Sequence, residues 1–295
     1  MSAHLQEYRA CRSLPLPSAT GFCDYDRLAG NSSGPKVLFE EVRNRHAHSC
    51  AARIVFGHTL YMCGRYRLSR RKQILEEHFA AVSDDADWSP RYNIAPTQLV
   101  PVVRQNSRTA YRQLRLIRWG LVPSWAKDSS TAASMINARS ETAASKPAFG
   151  DALKFRRCLI PADGFYEWQK LGKTEQPYCF EVNRGELFAF AGLWDTWNDP
   201  SVKALETCTI LTTTANPVAA PVHDRMPIIL DPQYYDLWLD LETTDTSIIS
   251  EFLKPLDARR LTCFPVSSRV NRTVNDDAEC SIPIEIIEPQ ASLFS

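Results

Sequence analysis

Apolar positions recur at helical spacing in residues 68–81, LSRRKQILEEHFAA, where Leu68, Ile74, Leu75, His78 and Phe79 fall on one face. Ser69 stands where an N-cap would, so the spacing predicts a helix over this stretch. Runs rich in β-branched and aromatic residues follow at 98–104, 111–121, 156–161 and 187–194, the last reading LFAFAGLW. CTILTTT at 208–214 and residues 227–230 read as two more strands, and PQYYDLWL at 232–239 as a short helix. Strands outnumber helices and do not alternate regularly with them. That pattern predicts a β-rich α+β single domain rather than a doubly wound sheet. Residues 1–61 carry neither period. They hold four of the six histidines (His4, His46, His48, His58), a Pro/Ser stretch at 13–18 and NSSGP at 31–35. The chain therefore divides near residue 62 into an irregular N-terminal extension (1–61), a folded domain (62–290) and a short tail (291–295).

A chain of 295 residues that is 44% hydrophobic and 23% charged has the composition of an ordinary globular protein. Lys+Arg and Asp+Glu are both 34, so any contact with nucleic acid would come from a local basic groove rather than from a basic whole. The nine cysteines are odd in number, and the N-terminal residues contain no apolar signal region, which argues against a disulfide framework and makes the cytoplasm the default location. No run approaches the roughly 18 apolar residues of a membrane span. With no C-x-x-C pair and no H-E-x-x-H, neither a metal site nor a cofactor is expected.

The candidate chemistry lies in short polar-aromatic clusters between the strands: RYNIAPTQ (91–98), RWGLVPSWA (118–126), INARSET (136–142), PADGFYEWQK (161–170) and VHDRMPIIL (222–230). Glu167 sits between Tyr166 and Trp168 in a strand-like run, so alternation turns it away from both aromatics. If that face is interior, desolvation suits Glu167 to general acid or base work; otherwise it is an exposed strand glutamate. His223 precedes Asp224 and Arg225 at a loop end, a position for acid–base work or for a satisfied structural histidine. Asn137 and Arg139 share a face if extended and diverge if helical, and a helix cap would also account for Asn137. Cys63 follows an internal methionine. It is either a buried thiol at a strand start or, if Met62 is the functional first residue, a cysteine with a free α-amine.

CGRY at 63–66, RYNIAPTQ, RWGLVPSWA, NARSET, PADGFYEW and HDRMP, in this order and spacing, resemble the SRAP family of SOS response-associated peptidases, or abasic-site-processing proteins, over roughly residues 62–290. The resemblance implies a pseudo-barrel of mostly antiparallel strands with short helices. It implies that Cys63 is catalytic and forms a thiazolidine crosslink with abasic sites in single-stranded DNA. It further implies that Asn137 orients the cysteine amine, Glu167 shuttles protons and His223 assists near the sugar oxygen. Arg65 and Arg139 match its phosphate-binding arginines. Trp119, Trp125 and Trp168 would supply stacking or wedge surfaces, or else belong to the core, and Asn93 and Pro96 would shape the DNA groove. The implied setting is the DNA-damage response, in the cytoplasm or, in a bacterium, at the nucleoid. The implied activities are autoproteolytic release of the preceding residues and lyase-type Schiff-base chemistry.

One departure stands out: 62 residues precede Cys63, and an internal cysteine has no free amine. Translation starting at Met62, self-cleavage of a leader, and a retained extension that leaves the protein unable to crosslink are the three alternatives. A cysteine peptidase acting in trans through a Cys63–His223 pair, and a noncovalent single-strand DNA-binding module, are the competing functional readings.

Overall fold

The computed structural model describes residues 64–83, 88–106, 111–198 and 204–286; Cys63, the extension 1–61 and the tail 291–295 lie outside them. In chain order the strands are β1 (Arg65–Leu68), β2 (Ala81–Val82), β3 (Arg91–Ile94), β4 (Leu99–Gln105), β5 (Arg112–Trp119), β6 (Asn137–Arg139) and β7 (Arg157–Ala162). They continue as β8 (Gly164–Leu171), β9 (Thr174–Val182), β10 (Phe188–Trp197), β11 (Leu205–Thr214), β12 (Arg225–Pro227), β13 (Ile229–Leu230) and β14 (Leu261–Pro265). The helices are short: α1 (Lys72–Phe79), α2 (Ser140–Ala143), α3 (Gly150–Phe155), α4 (Tyr235–Leu239) and α5 (Thr246–Ser250). No helix among the described residues is long and apolar enough to cross a membrane.

Five strands close into a barrel. β4 pairs antiparallel with β5 and β7, β7 with β10, and β10 with β11. A parallel contact, Thr207↔Arg118 and Cys208↔Trp119, then joins β11 back to β5. A second sheet, in the order β14-β9-β8-β1-β3, packs against this barrel. Its inner face contributes Tyr66, whose ring stands edge-on 5.4 Å from Trp119 and 5.7 Å from Phe190, and Phe165, edge-on 6.1 Å from Phe190. These contacts fuse sheet and barrel into one core, and each such pair is worth about 0.5–1.5 kcal/mol beyond the area it buries. The expected β-rich α+β pseudo-barrel is the architecture found.

The helix expected over 68–81 is shorter at its start. Leu68 ends β1, and Ser69 caps no helix, because its amide and hydroxyl both donate to Asp163 Oδ2, at 2.9 and 2.5 Å. Helix α1 begins at Lys72, after an Arg71 cap whose side chain makes no capping bond. Leu75 and Phe79 are buried, whereas Ile74 is 47% exposed. The strands expected at 98–104, 111–121, 156–161, 187–194 and 208–214 are β4, β5, β7, β10 and β11, each shifted by a few residues at most.

Candidate nucleic-acid interface and catalytic site

Strand β8 leaves the barrel sheet just after Asp163 and carries two different faces. Tyr166 and Trp168 pack outward in a small cluster with Cys179, Val266, Val270 and Cys280, while Phe165 stacks on Phe180 toward the main core. Glu167, which alternation puts on the side of Phe165, is only 3% exposed. The interior alternative for this residue is therefore the one found. On the same face, Gln169 Nε2 donates to the Pro221 carbonyl at 3.0 Å, which draws the segment carrying His223 to the Glu167 side of the strand. Antiparallel register pairs Arg65 with Tyr166. Continued one residue toward the N-terminus, it sets Gly64, the residue bonded to Cys63, at the level of Glu167.

His223 is mostly covered, with 16% of its side chain exposed, and its Nδ1 accepts the Arg225 amide at 3.1 Å with Asp224 Oδ1 3.0 Å away. Arg225 then grips Glu141 with both terminal nitrogens, at 2.7 and 2.9 Å, and donates to the Thr212 carbonyl at 2.8 Å. This fork joins HDRMP to NARSET and holds the Glu141 carboxyl below its ordinary range, the Arg225 hydrogen bond being the main cause. Asn137 and Arg139 lie on β6, an extended strand parallel to β11, with Asn137 beside Ile210 and Arg139 beside Thr212. They share a face, and the α2 cap is Arg139, so Asn137 is not a helix cap.

Arg65 donates to Asn93 Oδ1 and to the Val270 carbonyl, both at 2.7 Å, and to the Asn271 carbonyl at 3.3 Å. Its guanidinium lies 5.7 Å from the centroid of the Trp168 ring, and burial lowers its basicity. Trp168 Nε1 donates to Asn271 Oδ1 at 2.8 Å. Arg65 and Trp168 thus sit together on the outer face, opposite Glu167.

Asn93, expected to shape the groove, and Trp119, expected either as a stacking surface or as a core aromatic, are both internal. Asn93 is fully buried, its Nδ2 aimed at the carbonyls of Asn275, Val270 and Arg272 at 2.7, 3.1 and 3.1 Å, so it shapes the surface only from beneath. Trp119 is also fully buried and offers no stacking surface; Nε1 donates to the Ile136 carbonyl at 2.8 Å and its backbone pairs with Thr97 and Gln98. It is the staple at which RYNIAPTQ, RWGLVPSWA and INARSET meet. Trp125, by contrast, is 64% exposed, and Pro96 is half-buried in the turn between β3 and β4. The loop under Trp125 is held by the Ser124 amide donating to Asp195 Oδ2 at 3.0 Å and by Trp197 Nε1 donating to the Ala126 carbonyl at 2.7 Å.

Sequence reasoning missed four side chains that hold the site: Asp163, Glu141, Arg225 and Asp276. Asp163, Glu141 and Arg225 lay inside quoted clusters, whereas Asp276 lay outside all of them. Among the described residues no three His, Cys, Asp or Glu side chains gather into a metal-binding group.

Residues 62–273 match the family model described as SOS response associated peptidase (SRAP). The abasic site processing protein YoqW of Bacillus subtilis is 40% identical over 222 residues, covering 74% of this chain and 98% of that protein. The abasic site processing protein HMCES of Gallus gallus is 36% identical over 233 residues, 69% of each chain. Among solved structures, a protein from Bacteroides thetaiotaomicron superposes with a TM-score of 0.69 at 23% identity, over 76% of this chain and 100% of that one. Another, from Bordetella bronchiseptica, gives 0.60 at 28% identity, over 70% and 100%. Both neighbours share the fold.

Proposed function

Because the chain belongs to the SOS response associated peptidase family, we propose that it is a DNA-processing enzyme of the damage response that acts on abasic sites in single-stranded DNA through Cys63. Hydrolysis of the Met62–Cys63 bond, or initiation at Met62 with removal of that methionine, frees the Cys63 α-amine. An α-amine with a pKa near 7.7–8.0 is roughly a tenth to a fifth neutral at pH 7. It attacks the C1′ aldehyde of the ring-opened sugar and expels water to give an imine. The Cys63 thiol then adds to the imine carbon and its proton passes to nitrogen, closing a five-membered thiazolidine.

The observation that carries this reading is the burial of Glu167 at the level of Gly64, the residue bonded to Cys63. A carboxyl withdrawn from water there can take the proton of the attacking amine and return it to the departing hydroxyl. His223 serves the sugar oxygen, and Asn137 orients the amine. Arg65 and Arg139 hold phosphates, and Trp168 and Trp125 stack on unpaired bases.

The test is a denaturing gel of single-stranded DNA bearing one abasic site, incubated with the Met62-start chain, its Cys63→Ala variant, and all 295 residues. A heat-stable shifted band with the Met62-start chain and none with Cys63→Ala is expected. A band that survives Cys63→Ala, or no band in any lane, overturns the reading.

A further inference from the structure

Residues 267–277 form a strap across the outer face of the adjacent strands β8, β1 and β3. Val270, with Cys280 beyond the strap, is buried against Tyr166 and Cys179. Asn93 holds three strap carbonyls, and Asp276 Oδ1 accepts the amides of Tyr92 and Asn93 at 2.6 and 2.8 Å, which fastens the strap to β3. The segment after Asn271 is open to solvent, with Val274 76% exposed. Between the anchored base and the open tip, the strap makes two contacts of another kind. Its Val270 and Asn271 carbonyls take the Arg65 guanidinium, and the Asn271 side chain takes the indole N–H of Trp168.

We infer that Asn271 is a positioning residue that fixes the ring plane of Trp168 for stacking on an unpaired base beside the abasic site, with the strap as its rigid mount. The inference rests on the function proposed above. A tryptophan on a strand turns about two side-chain torsions, and a partner on its single polar atom removes most of that freedom before DNA arrives. The ordering cost then falls on folding rather than on binding. Loss of such pre-ordering weakens binding by roughly three- to tenfold.

The experiment is a double-mutant cycle on the Met62-start chain, with Asn271→Leu and Trp168→Phe read by affinity for a single-stranded oligonucleotide carrying a tetrahydrofuran, an unreactive abasic analogue. Phenylalanine keeps a ring but has no N–H, so it has nothing for Asn271 to hold. Asn271→Leu is expected to weaken binding three- to tenfold when Trp168 is present and to change it by less than about 1.5-fold in the Trp168→Phe background. Melting temperatures of all four chains confirm folding. Equal losses in both backgrounds, which a general structural effect would give, or no loss in either, overturn the inference. If the wild-type chain also fails to form the covalent band with a true abasic oligonucleotide, the proposed function falls and the inference with it. If that band forms while the cycle is flat, only the inference falls.

Discussion

Replacing Asn93 with aspartate changes one atom group in a fully buried site, and the geometry dictates an unusual result. The Asn93 amide nitrogen faces three backbone carbonyls, 2.7–3.1 Å away, and its oxygen accepts from Arg65 at 2.7 Å. Aspartate keeps the size and strengthens the Arg65 contact, but it donates nothing and points an anion at three oxygens. Losing two or three hydrogen bonds at about 1 kcal/mol each, in a buried site that then points an anion at carbonyl oxygens, costs about 3–5 kcal/mol. At about 2–4 °C per kcal/mol for a domain of this size, the melting temperature should fall by roughly 6–20 °C. Thermal and urea denaturation of Asn93→Asp and Asn93→Ala measure it, with an unchanged urea m-value identifying a pure stability loss. Asp should be at least as damaging as Ala. An aspartate milder than alanine would mean that the amide sits the other way round, its oxygen facing donors, and would refute the strap anchor as described.

Further outcomes follow from the same geometry. Glu141 has a folded pKa below its unfolded value, so its pairing with Arg225 stabilises the fold above about pH 4.3, the unfolded value. That stability is lost as pH falls through the folded pKa; Glu141→Gln should flatten the dependence of melting temperature on pH below about 4.5, and parallel profiles for the two proteins would contradict the pairing. Gly120 has φ +121°, and a Cβ there would lie 2.6 Å from the Ala132 carbonyl oxygen. Gly120→Ala should therefore cost at least about 1–3 kcal/mol in chemical denaturation, and a neutral result would exclude the conformation described. Trp125→Ala should leave melting nearly unchanged and weaken single-strand DNA binding by about 1–3 kcal/mol, since its ring stands in solvent. Trp119→Ala should do the reverse, costing about 3–5 kcal/mol of stability, and an exchange of these two phenotypes would overturn both assignments.

What could be read from the sequence was whatever depended on neighbours in the chain. The unbroken apolar run of β10 and the β-branched run of β11 announce themselves, and alternation alone turned Glu167 away from Tyr166 and Trp168. The β8–β9 hairpin escaped because Pro177 and the charges of TEQPYCFEV break the strand pattern, although Gly172 at the head of a two-residue loop, with φ +63°, was a usable signal. Leu68 fits the helical period through Leu75 and Phe79, so only Asp163, 94 residues away, reveals that Ser69 belongs to a strand end. The barrel closure at Thr207↔Arg118 and the strap bond from Val270 to Arg65, across 205 residues, have no local trace at all. Trp119 and Trp125 share one motif and are told apart only by burial.

The proposed division of labour along β8 depends on register. Glu167 and Trp168 are consecutive, so a slip of one residue would send the carboxyl into the outer cluster and the indole into the core. Asp163 is the residue placed to prevent that slip. It sits fully buried at the point where the chain passes from β7 in the barrel to β8 in the second sheet. Its Oδ1 accepts from Arg67 Nε at 3.1 Å, its amide donates to the Arg67 carbonyl at 3.1 Å, and its Oδ2 holds both polar groups of Ser69. These bonds lock the start of β8 to the end of β1, where Gly164 pairs with Arg67. Two residues further along that ladder, Arg65 pairs with Tyr166, and the next step is Gly64 at the level of Glu167. Asp163 therefore determines, through strand register, which side chain of the pair lies at the level of Gly64 and which lies in the outer cluster.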